Sequence, residues 1–332
     1  MENKNIRWVI TTVSLILVSA IMWLGALALI GREGSGADKG GSTEAGAEAY
    51  NILLLGTDDS SGLSDVMMLL RVDFGAESVS VAQIPRDTYA RFTESSYKKL
   101  NGAYISLGGA ERLAEFLSGA FGVDIDHYVC ISLSTLGALV DAVGGVDVDV
   151  PKNMYYNDPY QGLYIDIKKG KNHLDGETAQ KFVRYRAGYA DGDLGRIDAQ
   201  KLFLASFLKK LSEVYSPTTA ARLALAADGV ETDMSVSDII SIGARAMELP
   251  TRNMLMLTVP GAEAVAEKSG ASYYVLSRES ASEVMERYFG GKGAFDKDSC
   301  FLNGDYQSFI EIYQGRAEYS PVSVYDLITD GG

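Results

Sequence analysis

The chain is poor in the residues that organise metal sites and disulfide frameworks, with only two histidines and two cysteines among 332 residues. His127 and His173 are too few for a histidine-rich zinc site, because such sites combine several nitrogen and sulfur ligands. Cys130 and Cys300 allow one disulfide or two free thiols. Cys130 lies in the apolar run 128–131, which favours a buried free thiol. Zinc chemistry and a disulfide scaffold are therefore poor interpretations of this chain.

Basic residues are also in deficit. The 30 lysines and arginines face 44 aspartates and glutamates, which leaves a net charge of −14 and a pI near 4.7. An acidic chain is a poor nucleic-acid binder, because the phosphate backbone needs a basic face. Any anionic ligand must be held by local arginines or by a metal ion, against an unfavourable overall field.

From residue 8 to residue 30 the chain carries no charge. A helix of that length crosses a bilayer core of roughly 30 Å, so we expect a single transmembrane helix. A cleaved signal peptide is the alternative, since Ala26-Leu27-Ala28 resembles a cleavage site, but its apolar region is usually shorter, about 7–15 residues. Basic residues in the tail 1–7 favour a cytoplasmic N-terminus by the positive-inside rule. The main domain is then expected outside the cytoplasm, anchored to the cell membrane by a single pass.

Composition suggests the remaining boundaries. Residues 31–49 are rich in Gly, Ser, Ala and Glu, which indicates a flexible linker. We expect the extracytoplasmic domain over residues 50–290. The tail 291–332 has no clear period, and we expect it to be irregular and packed on the domain.

A β-hairpin is predicted at the start of this domain. Residues 66–70 are a near-continuous apolar run, typical of a strand buried on both faces, and residues 79–84 alternate as a second strand. Gly75-Ala76 suits a two-residue type II′ turn. In an antiparallel hairpin the residue numbers of each paired couple add up to the same sum. With the turn at Gly75-Ala76, this sum puts Asp65 opposite Arg86. We therefore expect a carboxylate and a guanidinium at the open end of the hairpin, on the floor of an active site.

Strands and helices interleave along the rest of the domain, which predicts an α/β fold. Because the hairpin is antiparallel, we expect a mixed central β-sheet flanked by helices in α/β/α layers. The further predicted strands are residues 51–55, 128–133, 146–150 and 254–259, and the predicted helices are 102–122, 136–143, 175–185, 194–214, 217–227, 236–247 and 277–289.

A tyrosine-rich loop is predicted at residues 153–164. Four tyrosines cluster there: Tyr155, Tyr156, Tyr160 and Tyr164. Two interpretations stay open, namely rings that stack on sugars and rings that pack back onto the domain, which is the commoner fate of loop aromatics.

A second polar stretch reads VRYRAGYADGDLGRIDAQ. Arg184 and Arg186 point the same way if the helix ends just after them, because alternate residues of an extended segment share a face. The next helix then presents one polar row near its start, formed by Asp193, Arg196 and Gln200. The two groups together predict a compact polar pocket.

Phosphate is the ligand that this chemistry favours. Guanidinium groups match phosphate oxygens two at a time, and four are expected in the pocket: Arg86, Arg184, Arg186 and Arg196. Carboxylates suit a phosphate site if they hold a Mg²⁺ that the phosphate also binds, and four are at hand: Asp58, Asp65, Asp87 and Asp193. Arginines, carboxylates and a metal recur in phosphoryl transfer. The alternative, a set of solvated salt bridges worth about 0–1 kcal/mol each, stays open on spacing alone.

The motifs NILLLGTD, SDVMMLLRVD, IPRD and VRYR followed by DGDLGRIDAQ occur in this order. With the short tail, single span and outward-facing domain, they resemble the LytR-CpsA-Psr (LCP) family from about residue 50 to residue 211. The resemblance implies a phosphotransferase of cell-envelope assembly in Gram-positive-type bacteria. Such an enzyme moves an anionic glycopolymer, such as teichoic acid or capsule, from a polyprenyl-pyrophosphate carrier to a sugar hydroxyl of peptidoglycan. The polyprenyl chain is expected in an apolar tunnel between sheet and helices.

The same resemblance implies roles for individual residues. The metal carboxylates are Asp58 and Asp65, with Mg²⁺ as the cofactor or Mn²⁺ in its place. The lipid pyrophosphate is expected on Arg86, Arg184, Arg186, Arg196 and Gln200. Catalytic roles are expected for Arg86, Asp87, Asp193 and Arg196, and the two aspartates of that set are the candidates to accept a proton.

Two positions depart from the family pattern. Residues 61–63 lack the arginine that often precedes the Asp65 position, and Ala199 stands where a basic residue often precedes the glutamine, which predicts a less positive pocket.

The alternative functions are a lipid-pyrophosphate hydrolase and a non-catalytic envelope protein that binds polyprenyl phosphate or glycan. The expected partners are the lipid-linked glycopolymer, peptidoglycan and the membrane, and no nucleic acid.

Overall fold

A mixed β-sheet forms the centre of the domain in the computed structural model, which describes residues 48–57, 63–91, 98–160, 162–187, 189, 193–214, 216–246, 249, 251–266, 269–292 and 319–329. In chain order the strands are β1 (Ala49–Thr57), β2 (Ser64–Asp73), β3 (Ser78–Gln83), β4 (His127–Ser132), β5 (Val146–Val150), β6 (Met154–Asp158), β7 (Leu163–Ile167), β8 (Gly170–Leu174), β9 (Val230–Thr232), β10 (Met254–Thr258), β11 (Gly261–Val265), β12 (Ser272–Leu276) and β13 (Val322–Ser323). The helices are α1 (Ala103–Leu107), α2 (Ala110–Phe121), α3 (Leu133–Ala142), α4 (Gly176–Arg184), α5 (Asp193–Val214), α6 (Pro217–Ala226), α7 (Val236–Ala246), α8 (Arg278–Phe289) and α9 (Val324–Thr329).

The central sheet has the strand order β13-β10-β3-β2-β1-β4-β9. The pairs β10–β3 and β1–β4 are parallel, and the other neighbours are antiparallel. Outside this sheet, β5 pairs with β8, β6 with β7, and β11 with β12. The prediction of a mixed sheet in an α/β fold is confirmed.

Both faces of the sheet are covered, because its central strands are apolar on both sides. Residues 67–70 of β2 are all buried, as expected for a strand between two layers. Met67 and Leu69 join one hydrophobic cluster with side chains of α2 and α8. Met68 and Leu70 join the other cluster, with side chains of α3, α4 and α5. The sheet therefore separates two cores, and the one that contains Met68 and Leu70 lies on the side of the cavity described below.

The hairpin register is as predicted, but the turn is not. Asp73 pairs with Ser78, so residues 74–77 form a four-residue turn, and the two-residue type II′ turn predicted at Gly75-Ala76 is wrong. The Asp73 carboxylate accepts a hydrogen bond of 2.8 Å from the backbone N–H of Ala76, which favours the longer turn. The turn is one residue longer on each side, so the pairing sum of the two strands is unchanged.

Three further predictions from periodicity are wrong. The single helix predicted at 102–122 is two helices, because Gly108 and Gly109 adopt φ values of +95° and +122° between α1 and α2. The loop predicted at 153–164 contains β6 and the start of β7, which pair as a hairpin. The tail is not irregular where the structure describes it, since β13 extends the sheet beside β10 and α9 follows.

Several predictions fall on other parts of the chain. The transmembrane helix and nearly all of the linker lie outside the described residues. No helix among the residues that the structure describes is long and apolar enough to cross a membrane.

Cys130 is buried and free, and its burial raises the pKa of the thiol to about 11. Cys300 lies outside the described residues.

The buried His127 lies at the end of β4 away from the cavity and links this strand to the segment between β9 and α7. The His127 ring stacks on Tyr50 with centroids 6.3 Å apart, and its Nδ1 lies 3.3 Å from the Asp233 carboxylate. Burial opposes the charged imidazolium, but the hydrogen bond and charge of Asp233, with the charges of Asp126 and Asp238, raise its pKa above the ordinary value. The ion pair therefore stabilises the fold while His127 is protonated.

This pairing predicts a pH-dependent contribution to stability. Because the folded pKa is raised, the contribution of His127 is complete below its unfolded pKa of about 6.5 and is lost as pH rises through the folded pKa. The stability difference between wild type and His127→Gln, measured by urea denaturation, should therefore shrink as pH rises through that range. His173→Gln, at an exposed histidine on β8, controls for loss of an imidazole. A difference that is constant with pH would contradict the ion pair.

Candidate functional site

A cavity of about 850 Å³ lies between the sheet and helices α3, α4 and α5. Its wall includes the ends of β1 and β4, the start of β2, the segment after β3 and the β6–β7 hairpin. Seven of the predicted site residues line it together: Asp65, Arg86, Asp87, Arg184, Arg186, Arg196 and Gln200. Asp58 lies outside the described residues. Asp193 is the first residue of α5, and its side chain lies outside the described part.

A β-bulge places Asp65 in the cavity. Gly56 of β1 pairs with Val66, but the next residue, Thr57, pairs with Ser64, so Asp65 is the extra residue of β2. Strict alternation would turn Asp65 away from the side of the sheet that Val66 faces. Both side chains nevertheless line the cavity, as expected where a bulge re-aims a side chain.

A tight turn after β3 brings Arg86 to the same place. Pro85 ends the strand, and its carbonyl accepts hydrogen bonds from the backbone N–H of Thr88, at 3.0 Å, and from the Thr88 hydroxyl, at 2.6 Å. Arg86 Nη1 then donates to Asp65 Oδ1 at 2.5 Å. The predicted meeting of Asp65 and Arg86 is confirmed. Both side chains are mostly buried, which strengthens the charge-assisted bond.

The end of α4 supplies the second pair of arginines. The Asp175 carboxylate caps the N-terminus of this helix by accepting from Thr178 N–H at 2.8 Å, so the helix predicted at 175–185 is present and starts at Gly176. The helix ends at Arg184, and Tyr185 is already extended, with φ −62° and ψ 128°. Arg184 is half-buried and Arg186 is exposed, and both line the cavity. Arg184 therefore projects into the cavity wall from the last residue of α4, and Arg186 projects from the segment that follows the helix.

The start of α5 supplies the third element of the site. Arg196 and Gln200, one turn apart, are 3% and 4% exposed. The Tyr189 ring packs on the backbone at Gly195, where an added Cβ would lie only 2.5 Å from the ring. Glycine at this position thus lets the chain between α4 and α5 fold back beside Arg196.

The side-chain amide of Gln200 makes two hydrogen bonds within the protein. Its Oε1 accepts from Gln83 Nε2 at 2.9 Å, and its Nε2 donates to the Val183 carbonyl at 3.1 Å. Gln83 is 2% exposed and follows Met68 in the row of side chains across the sheet. The two amides thereby tie β3, α5 and the last turn of α4 together, directly beside Arg184. Gln200 also lines the cavity, and its expected contact with the pyrophosphate stays a prediction.

The charges that line the cavity are positive overall among the described residues, although the chain is acidic. Among the described residues, four arginines face three carboxylates there, Asp65, Asp87 and Glu263. Asp87 lies 3.0 Å from Lys99, so part of its charge is already compensated. A local excess of positive charge in a half-buried site suits an anionic ligand.

The apolar wall of the cavity lies between the sheet and the helices, where the family resemblance implied an apolar tunnel, but none of its residues was predicted individually. Its side chains come from β1, β2, α3, α5 and the β6–β7 hairpin and include Leu54, Val66, Leu133, Leu136, Tyr156, Leu163, Phe203 and Leu204. The N-terminus of α3 also opens on the cavity through Ser132 and Leu133, with its partial positive charge. Positive charge beside an apolar wall fits an amphiphile with an anionic head group.

The described residues can supply only part of the coordination shell of a magnesium ion. No group of three or more His, Cys, Asp or Glu side chains that could hold a metal is present in the described ranges. Asp65 lines the cavity, and Arg86 is bonded to one of its two oxygens. Magnesium commonly takes one or two carboxylates and completes its shell with water and substrate phosphates. The donor set is therefore compatible with an ion that arrives with a phosphate.

The two-amide chain is tested by replacing Gln83 with an apolar side chain of similar length. Gln83→Met should lower the free energy of unfolding by about 1–3 kcal/mol, because the Gln200 carbonyl oxygen is left buried without its donor. Thr258→Val is the matched control, since Thr258 pairs with Gln83 across the sheet but makes only a long bond of 3.4 Å to Lys201. Urea denaturation measures both. Equal stability of Gln83→Met and wild type would contradict the role of the chain.

Comparison with known proteins relates the chain to one family. The model of the LytR_cpsA_psr family matches residues 33–289. The chain is 27% identical over 235 residues to the polyisoprenyl-teichoic acid--peptidoglycan teichoic acid transferase TagV of Bacillus subtilis (strain 168), an alignment that covers 68% of this chain and 60% of TagV. It is 28% identical over 258 residues to a TagU of Oceanobacillus iheyensis, covering 73% and 76% of the two chains. The chain thus spans less than two thirds of the length of the Bacillus relative.

Solved structures share the fold. Protein gbs0355 from Streptococcus agalactiae superposes with a TM-score of 0.67 at 24% identity, covering 78% of this chain and 94% of the other. The crystal structure of B. subtilis TagV gives a TM-score of 0.61 at 22% identity, covering 77% and 99%. A structure of TagT bound to LI-WTA gives 0.59 at 22% identity, covering 76% and 93%. With the family match over most of the sequence, the chain belongs to the LytR_cpsA_psr family.

Proposed function

We propose that this protein transfers an anionic glycopolymer from a polyprenyl-pyrophosphate carrier to a sugar hydroxyl of peptidoglycan. The observation that carries the proposal is the single cavity in which four arginines adjoin an apolar wall. A lipid with a pyrophosphate head group has the same two parts. The relatives named as teichoic acid transferases, and TagT bound to LI-WTA, support the polymer class and the acceptor.

The arginines would act on the charge of the reacting phosphates. In the proposed step, the acceptor hydroxyl attacks the phosphorus next to the sugar, the bond to the second phosphate breaks, and polyprenyl phosphate leaves. Guanidinium groups fixed around this centre stabilise the charge that gathers on the phosphate oxygens. Arg86 and Arg196 are the more buried of the four, so their interaction with that charge is the least screened by water.

The hydroxyl proton needs an acceptor in the same cavity. Asp87 lines it, 3.0 Å from Lys99, and is the first candidate. Asp193, at the start of α5, is the second candidate. Asp65, with Asp58, would hold Mg²⁺ or Mn²⁺, and the ion would supply positive charge to the phosphate oxygens when bound.

A membrane anchor fits this proposal. The uncharged segment 8–30 would hold the domain at the outer face of the membrane, where a lipid-linked donor and the wall acceptor both occur. The apolar wall of the cavity would then receive the isoprenoid chain, because burial of its methyl and methylene groups is favourable by about 25 cal/mol per Å².

The proposal is tested by transfer with the full-length protein in detergent. The assay supplies a polyprenyl-pyrophosphate-linked oligosaccharide, peptidoglycan fragments and Mg²⁺, and measures released polyprenyl phosphate and the sugar adduct. Arg86→Ala should lower the rate about 10²–10³-fold, by analogy with the loss of one stabilising donor. Arg86→Lys should fall between the two, because lysine keeps the charge but loses the two-pronged geometry.

The matched control is Arg112→Ala, at an exposed arginine on α2, which packs on the opposite face of the sheet. It should keep the wild-type rate. Equal release of polyprenyl phosphate by wild type and Arg86→Ala would refute the assignment. Release that depends on Arg86 but gives no adduct would identify a hydrolase, and bound lipid without any release would identify a binding protein.

A further inference from the structure

The β6–β7 hairpin has two different faces. On its inner face, Tyr156 and Leu163 line the cavity and Ile165 is fully buried. On its outer face, Tyr155 is 61% exposed and Tyr164 is 51% exposed. The side chains therefore alternate between cavity and solvent along each strand, as the period of a strand requires.

Exposed aromatic rings are concentrated on this hairpin. Among the described residues, six large hydrophobic side chains are exposed, and three of them are Tyr155, Tyr160 and Tyr164. Tyr160, in the turn, is fully exposed. Of the two interpretations that the sequence left open, the one in which these rings pack back onto the domain is wrong for these three. An exposed cluster of large apolar side chains indicates a binding surface.

The outer face is a shallow platform with polar edges. The rings of Tyr155 and Tyr164 are perpendicular, with centroids 6.1 Å apart. In the strand register, Tyr155 is opposite Asp166 and Tyr164 is opposite Asn157. The platform thus joins two aromatic faces to carboxylate and amide groups that can bond to hydroxyl and N-acetyl groups.

We propose that this platform, formed by Tyr155, Tyr164, Asn157 and Asp166, binds the neutral glycan strand that carries the acceptor hydroxyl. The identity of that strand as peptidoglycan glycan rests on the proposed function. The apolar face of a sugar ring packs on an aromatic ring, whose face is electron-rich and attracts the sugar C–H groups. The polar side chains beside the rings then orient the sugar.

The charges of the platform favour a neutral ligand over an anionic one. Asp166 is the carboxylate of the platform, and Lys168 is paired with it at 2.6 Å. Asp158 lies on the inner face with Tyr156, whose hydroxyl donates to it at 3.3 Å. The platform therefore carries little net charge, and an anionic polymer or an anionic membrane surface gains little electrostatic attraction there. The arginines of the cavity are the better site for the donor, which leaves the platform for the acceptor.

The position of the platform connects it to the reaction. Tyr156 and Leu163, one from each strand of the hairpin, belong to the cavity wall. A glycan on the outer face therefore lies on the other side of this two-stranded sheet from the cavity. The same hairpin would hold donor lipid on one face and acceptor sugar on the other.

The test is direct binding of a β-1,4-linked N-acetylglucosamine hexamer to the full-length protein in detergent, measured by titration calorimetry. The double variant Tyr155→Ala/Tyr164→Ala should bind about tenfold more weakly or worse, through loss of two ring contacts. The double variant Tyr155→Phe/Tyr164→Phe keeps the rings and should bind nearly as wild type. Ile105→Ala removes an exposed apolar side chain from α1 and should have no effect.

The transfer assay provides a second readout. In the alanine double variant, KM for peptidoglycan fragments should rise while KM for the lipid donor and kcat stay near wild type. Equal hexamer affinity of wild type and the alanine double variant would overturn the platform and leave the transferase proposal intact. Hexamer binding that depends on the tyrosines, in a protein that transfers nothing, would uphold the platform and refute the transferase proposal.

A membrane role for the same tyrosines is also distinguished. If the alanine double variant loses sedimentation with phosphatidylglycerol vesicles but binds the hexamer as wild type does, the platform is a membrane contact and the glycan proposal is overturned. Absence of hexamer binding by wild type would overturn it as well.

Discussion

Four guanidinium groups of the same charge line one half-buried cavity, and the surrounding structure must hold them there against their mutual repulsion. The Asp65 carboxylate compensates Arg86 directly. The amides of Gln83 and Gln200 fix the ends of α4 and α5 relative to the sheet. The fold therefore holds four like charges close together, which is unfavourable by itself. The interaction energy becomes favourable when an anion with several charges binds among them. The proposed pyrophosphate head group is such an anion.

The same side of the sheet provides the apolar half of the site. Leu54 and Met68 sit in one row with Gln83, so the row changes from apolar to polar as it crosses from β1 to β3. The cavity follows this change, with hydrophobic side chains of α3 and α5 facing the apolar part. This row of side chains across the sheet therefore separates the place for the apolar half of an amphiphilic ligand from the place for its polar half. The core on the other face of the sheet, which contains Met67 and Leu69, stabilises the sheet and contributes only Leu55 to the described cavity wall.

The sequence was informative where local patterns decide the structure. The apolar run of β2 and the pairing sum of the hairpin predicted that Asp65 meets Arg86, and a single residue, Asp175, predicted the start of α4. The bulge that turns Asp65 into the cavity could not be predicted, since it appears only as a mismatch between the registers of two strands. The apolar wall likewise gathers residues distant in sequence, and the tyrosine-rich segment lacks the continuous apolar run of a buried strand. The partners of Gln200 depend on packing between three elements.

The most direct test of the account is native mass spectrometry of the full-length protein, purified from bacterial membranes in mild detergent. The account predicts one phosphorylated isoprenoid lipid bound per wild-type chain. It also predicts that most of this lipid is lost in the double variant Arg184→Gln/Arg186→Gln, whose side chains lie at the partly exposed edge of the cavity. A wild-type protein without such a lipid, or equal occupancy in the double variant, would contradict the assignment of the cavity to a lipid-linked phosphate.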